Sequence, residues 1–450
     1  MFSLTSLFLS NNNLISHAAL AIFLSLFLSL LKIPALFLYG LHTYIHPDDV
    51  NPNSNSSGIR AAIRRPGAIE SEPLKLRKKS KERFEFDENK AQIFRLKLTE
   101  GHVQSRIYFK EFYAAFNFTL IALLSLLLHR FLKVDQNSGF VKNGTIIPLL
   151  LGFVGVFRLF FLIVRTGFEI SASKRLEKQL GFFWGILGFF LGLGLLYNIF
   201  PKWVFDFGFY ESFDGFGKFV LAAFMGCIVG FLYIPALRNA RAFWLGTDQI
   251  RSNLSIISCG WFSRMLLYAN FLLIVFTWIL WISPLAEFLV NTGKKGGKRG
   301  EELVGYIGMS RLNFDQLRLW CLLSTGLLQI LTLRPNVQMF LNEAVLCWYQ
   351  RLHGSKVPDL TYSRAKVFLH NHYLCLVVLQ FFAPAGMVLV FLGFSQLDYG
   401  FLNGMVLNVA NFSDLVKEVA LFMAWWIIFV WALFSSAILV LYRRGILYVS

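Results

Sequence analysis

Residues 313–344 read NFDQLRLWCLLSTGLLQILTLRPNVQMFLNEA, a short apolar span with an arginine at each end and an amphipathic sequel. Arg318 and Arg334 are sixteen residues apart, roughly 24 Å along a helix that rises about 1.5 Å per residue. The hydrocarbon layer of a bilayer is roughly 30 Å thick, so a helix bounded by these two charges falls short of it. Long arginine side chains close such a gap by snorkelling outward, one toward each interface. The two residues are therefore expected to fix the helix in depth. Pro335 lacks an N–H and suits the first turn of a new helix. Val337, Phe340, Leu341, Ala344, Val345 and Trp348 follow it at helical spacing. That single apolar stripe predicts a helix lying on the membrane surface.

The rest of the chain repeats the theme. Of its 450 residues, 56% are hydrophobic and 17% aromatic, gathered in runs longer than a soluble core helix needs. The runs are continuous, without the period of two that a transmembrane barrel would show. The fold class is therefore an all-α polytopic membrane protein, an integral multi-pass bundle of about nine transmembrane helices with amphipathic interfacial helices, resident in the plasma membrane or an endomembrane. The spans are expected near 14–39, 110–129, 146–164, 181–200, 217–235, 265–284, 317–333, 372–394 and 420–441. They divide the chain into an uncleaved first span (1–40), a basic, partly disordered cytosolic loop (41–107) and an eight-span membrane domain (108–450). No lysine or arginine precedes the first apolar run, so the basic region of a cleaved signal is missing.

The net charge is +17. Its basic residues sit mainly in loops, which fits membrane topology and excludes nucleic acid as the partner. Lysine and arginine number 27 in the loops on the side of 41–107 and eleven in the opposite loops, which puts the first loop and the C-terminus in the cytosol. The cluster within 75–83 is read as a solvated stretch that sets topology. The loops 201–216 and 395–416 carry Asp206, Glu211, Asp214, Asp398 and Asp414 and predict an acidic outer face. Asn143 and Asn411 head sequons on that face and are the candidate glycosylation sites.

Few residues carry a chemical signal. Arg158, in GFVGVFRLFFLIVR, is the charge most deeply placed in an apolar span. Such an arginine costs at least a few kcal/mol in lipid, so it is expected to face the bundle interior and find an acceptor, with Gln329 and Asn117 as neutral candidates. The arginines of the third and seventh spans do not recur at the threefold spacing of a voltage sensor. His42 and His46, placed on one helix face, and His370 with His372 pose a metal question, but interfacial polar residues are the preferred reading. No metal or cofactor is expected. The five cysteines are scattered without C-x-x-C spacing. With no phosphate-binding loop, nucleophile elbow or H-E-x-x-H present, no catalytic residue is assigned and an enzyme is not expected. Gly181, Gly185, Gly188 and Gly192 let another helix approach closely, within this bundle by preference and across a homodimer as the alternative. Finally, 215–290 read against 315–390 pairs Gly226 with Gly326, Pro235 with Pro335, Arg264 with Arg364 and Pro284 with Pro384. The pairing raises the possibility of a parallel repeat of the transporter kind.

FDQLRLW (314–320), VQMFLNEA (337–344), LQFFAP (379–384), PALR (235–238), the WW pair at 425–426 and LFSSAILVLY (433–442) resemble the transmembrane protein 161 family, and His46-Pro47 after the first span is similar too. Animal members carry a further basic residue in the seventh span and a longer final outer loop; Gln329 and a short 395–416 loop stand here instead. The resemblance implies a multi-span protein with no established catalytic residues that influences membrane excitability or stress tolerance. The expected function is a non-enzymatic modulator or assembly partner of other membrane proteins, in contact with the bilayer and with such partners or a second copy. The alternative is a transporter or channel, favoured by Arg158 and the repeat.

Overall fold

The structure is a computed structural model that describes residues 12–46, 60–63, 92–131, 144–169, 174–197, 199, 215–248, 259–290, 309–354, 359–397 and 412–449. Asn143, Asn411, the 75–83 cluster and most of the two acidic loops lie outside them. In chain order the elements are α1 (Asn12–Leu31), α2 (Ile33–Leu36), β1 (His42–Ile45), β2 (Arg60–Ile63), β3 (Ile93–Lys97), α3 (Glu100–Gln104), α4 (Phe109–Phe131), α5 (Ile146–Phe168), α6 (Arg175–Leu196) and α7 (Gly215–Thr247). They continue as α8 (Trp261–Ile279), α9 (Ser283–Leu289), α10 (Arg311–Leu331), α11 (Leu333–Gly354), α12 (Thr361–His372), α13 (Leu374–Ser395) and α14 (Phe412–Arg443). Among the described residues, eight helices are long and apolar enough to cross a membrane, and a ninth span arises if α10 and α11, bent by 45° at Thr332, count as one.

The bundle is built around α13. Its sequence LCLVVLQFFAPAGMVLVFLGFS is apolar but for Gln380 and Ser395, its residues are buried on every face, and α4, α5, α7, α10, α11 and α14 pack around it. Next to it α14 buries Phe422, Trp425, Trp426 and Trp431. The indole N–H of Trp425 donates to the Trp278 carbonyl at 3.2 Å and that of Trp426 to the Met225 carbonyl at 3.4 Å, so both large rings are buried with their polar edge satisfied. The α6 glycines face α7. A Cβ on Gly226 would stand 2.8 Å from the Gly185 carbonyl oxygen, and one on Gly230 would stand 3.1 Å from that of Gly181. The small-residue stripe is thus taken up by an internal helix pair.

Several expectations need correction. The helix after Pro335 does not lie on the surface: Asn336, Val337, Leu341, Asn342, Glu343, Val345 and Trp348 are all buried, because α7, α12, α13 and β1 enclose α11. Residues 361–372, read as loop, form the helix that covers it. The ends of the 41–107 loop are also ordered, forming a three-stranded antiparallel sheet in the order β1-β3-β2. His42 consequently lies on a strand and shares no helix face with His46. Gly40, at φ +74°, makes the turn from α2 into this sheet in a conformation that favours glycine. The repeat is not reflected in shape either. Helix α7 runs 33 residues without a break, with Pro235 inside it, whereas its counterpart bends at Thr332; α8 is one helix where 361–395 is two.

The sheet is docked by amides. Gln338 Nε2 donates to the His42 carbonyl at 3.1 Å and its Oε1 accepts the His42 N–H at 2.9 Å. Asn371 Nδ2 donates to the Tyr44 carbonyl at 2.6 Å, its Oδ1 meets the Thr43 hydroxyl, and the Tyr44 hydroxyl donates to Asn342 Oδ1 at 3.1 Å. Burial pushes the Tyr44 phenol up to about 12, which keeps that donor protonated.

Candidate functional site: a cationic cavity at one end of the bundle

Arg318, within α10, and Arg334, in the first turn of α11, work differently from a pair snorkelling into headgroups. Arg318 is buried; its Nε and Nη2 donate to the Leu280 carbonyl at 3.0 and 2.9 Å, where α8 ends. Its guanidinium lies over the rings of Phe314 and Trp281, and Nη1 meets Asp315 at 3.3 Å. Arg334 is exposed, and its Nη1 donates to the carbonyls of Leu36 and Tyr39 at 3.1 and 2.8 Å, just beyond α2. Each arginine therefore holds the C-terminal carbonyls of a neighbouring helix, where unpaired carbonyls and the helix dipole favour a cation. Gln329 is buried with its Nε2 lacking a hydrogen-bond partner among the described residues. Arg158 is also misplaced by the sequence reading. It is half-buried on α5 between exposed Phe157 and buried Leu159, and the contact it makes is the Phe118 ring, 5.8 Å from its Cζ.

The charges that converge are elsewhere. Helices α6, α7, α11 and α12 enclose a cavity of about 300 Å³. Lys174 and Glu177 come from the start of α6, Arg238 and Arg241 from α7, Glu343 from α11, and Lys366 and His370 from α12. Glu343 is its hub. One carboxylate oxygen meets Arg241 Nη1 and Lys366 Nζ, each at 3.1 Å, and the other lies 3.9 Å from His370 Nε2. Arg241 also donates from Nε to the Tyr442 hydroxyl at 3.1 Å and stands 3.9 Å from Glu177. Arg238 Nη1 donates to Gln380 Oε1 at 2.6 Å. The His370 ring stacks on Phe340, centroids 4.4 Å apart, while its Nδ1 contacts the Lys366 carbonyl at 2.8 Å.

Position follows from length. From Gly215 to Arg238 helix α7 rises roughly 35 Å, more than the roughly 30 Å hydrocarbon layer, so an α7 that crosses upright with Gly215 at one boundary carries its last turns to headgroup depth. A second, apolar groove of about 590 Å³ runs along α6 and α7 toward α5, between Phe182, Gly185, Phe190, Cys227 and Phe231, with Lys178 at one end. Neither space is lined by Arg158. In the sequence Arg238, Arg241 and Lys366 count only as part of the topology signal, and Glu343 belongs to no motif of known chemistry. A signal for Glu343 existed: its helical neighbours Met339, Phe340, Leu346 and Cys347 are all apolar, a setting in which a carboxylate requires a cation.

A helical bundle with eight or nine spans among the described residues, a buried central helix and an ion-paired cavity at one end defines a polytopic integral membrane protein. More particularly, residues 214–397 match the family described as predicted transmembrane protein 161AB, so the resemblance to that family is shown over the stretch from α7 to α13. No solved structure matches the chain. The matched stretch supplies Arg238, Arg241, Glu343, Lys366 and His370; Lys174, Glu177 and Tyr448 of the cavity lie outside it. Four of the motifs that carried the resemblance meet here, through Arg238 of PALR, Glu343 of VQMFLNEA, Gln380 of LQFFAP and Tyr442 of LFSSAILVLY.

Proposed function

We propose that this protein is a non-catalytic membrane protein that acts by assembling with, or tuning, other membrane proteins, including those that carry ion conductance. The observation that carries this reading is α13, buried on all sides along the axis where a permeation path would run. Its own Phe382 and Val388, with Trp425 and Trp426 of α14, fill the centre with apolar atoms, and a close-packed apolar interior supports a scaffold better than a conduit. A transporter is the second reading. The cationic cavity favours it, since a polar chamber reaching one end of a bundle has the form of half an alternating-access route. Purified protein in liposomes separates the two. The expected result is no flux of anions or cations above protein-free vesicles, with photo-crosslinks from lipid-facing positions such as Phe157 and Phe190 to a second membrane protein in native membranes. Saturable, substrate-dependent flux through the purified protein would overturn the proposal.

A further inference from the structure

We propose that the cavity between α6, α7, α11 and α12 binds a phosphate monoester, carried either on a lipid headgroup or on a soluble molecule. The charge inventory is the first argument. Among the described residues, Arg238, Arg241 and Lys366, with Lys174 exposed at the rim, line it against Glu177 and Glu343, four cations to two anions. A site weighted toward positive charge favours an anion of high charge, and a doubly charged phosphate monoester matches this set better than a monocarboxylate does. Organisation is the second. Gln380 anchors Arg238, and Tyr442 with Glu343 anchors Arg241, so both guanidiniums are held in place before a ligand arrives and less side-chain entropy is lost on binding. Planar guanidiniums and a lysine ammonium are the groups that recognise phosphate oxygens. The third is the wall. Tyr362, Tyr373 and Tyr448 line the space and offer ring faces and hydroxyls to whatever carries the phosphate, and about 300 Å³ accommodates a phosphate with a small polar body. Depth is the fourth: in an upright α7 the last turns stand at the level where a lipid phosphate lies, and equally within reach of the aqueous phase. The inference does not rest on the modulator reading, since a scaffold and a transporter could each hold such a ligand.

The test uses the full chain in phosphatidylcholine nanodiscs and three probes: inorganic phosphate, inositol trisphosphate, and phosphatidylinositol monophosphate doped into the disc, with phosphatidylserine at equal surface charge as the comparison. Saturable binding to phosphatidylinositol monophosphate but not to phosphatidylserine supports the site and assigns it to a lipid. Saturable binding of inositol trisphosphate or phosphate supports it and assigns it to a soluble source. In either case Lys366→Gln is expected to weaken binding about tenfold. Because Lys366 also pairs with Glu343, two variants in the first turn of α6 keep the test decisive if that protein fails to fold. Lys174→Gln weakens binding about threefold and Glu177→Gln tightens it by a similar factor. Binding that is absent for all three probes, or that neither α6 variant shifts, overturns the proposal.

Discussion

Replacing Glu343 with glutamine keeps the volume of the side chain and removes the charge around which Arg241, Lys366 and His370 are arranged. At 3.1 Å, each ion pair is worth about 5 kcal/mol with an effective dielectric constant of about 20. Desolvating the ions offsets much of that in the native protein, but the offset does not vanish when the carboxylate does: the two cations stay where packing put them. Breaking a buried pair from one side typically costs about 3–5 kcal/mol, and Glu343→Gln is expected in that range. Unfolding of the detergent-solubilised protein, followed by tryptophan fluorescence against increasing denaturing detergent, measures it. Glu100→Gln is the reference, because Glu100 pairs with Lys32 at the surface, where solvent screens the pair and its loss changes stability little. Adding Lys366→Met to Glu343→Gln removes one stranded cation and should restore part of the loss. A Glu343→Gln protein no less stable than Glu100→Gln, or a double variant that loses the sum of the single effects, would refute the account of Glu343 as the hub of the cavity.

The other expectations concern the scaffold. Gly226→Ala places a methyl group 2.8 Å from the Gly185 carbonyl oxygen and 2.9 Å from the Phe189 nitrogen, both backbone, and should cost about 1–3 kcal/mol. Gly101→Ala, with nothing within 4 Å, should change stability by no more than about 0.5 kcal/mol; equal effects in the same denaturation assay would contradict the close α6–α7 approach. Arg318→Leu leaves the Leu280 carbonyl without its charged donor and should destabilise by about 2–3 kcal/mol, whereas Arg158→Leu should be neutral or stabilising because it removes a charge bordering lipid. The reverse order would show that Arg158 has a partner in the folded protein. Burial, then Arg95, Lys97 and Arg334, hold the His42 imidazole below its ordinary 6.5. The unfolded chain therefore takes up the proton first, and the contribution to docking of β1, present above about 6.5, is lost as pH falls through the lowered value. Hydrogen exchange of the β1 amides at about pH 7 and about pH 5 reads it, and identical protection at both would remove His42 from the argument.

The spans were legible because lipid selects for apolar length, and α1 and α13 both announce themselves that way. Their places in the bundle were not. Lipid tails are as apolar as a core, so two helices of nearly equal hydropathy end as a peripheral helix and the buried centre. Amphipathic periodicity found α11 but misjudged its site, since a stripe of Val337, Phe340, Leu341 and Ala344 reads alike against a bilayer and against other helices. The polar residues on its remaining faces, Gln338, Asn342 and Glu343, held the missing information, but their partners come from strands and helices distant in the chain. The cavity was hidden for the same reason: its charges span residues 174–370, and each alone looked like part of a topology signal.

The place of α13 in the chain sets a problem for biosynthesis. It is the next-to-last long helix, yet α4, α5, α7 and α10, all made earlier, turn their inward faces to it. At roughly 5–20 residues per second, α10 enters the membrane a few seconds, and α4 some tens of seconds, before the post they surround exists. Until then faces bearing Phe116, Arg238 and Gly326 have no final neighbour. The bundle can close only near the end of translation, and a chain stopped before α13 should remain a set of loosely associated helices, the form in which membrane chaperones and quality-control proteases would meet it.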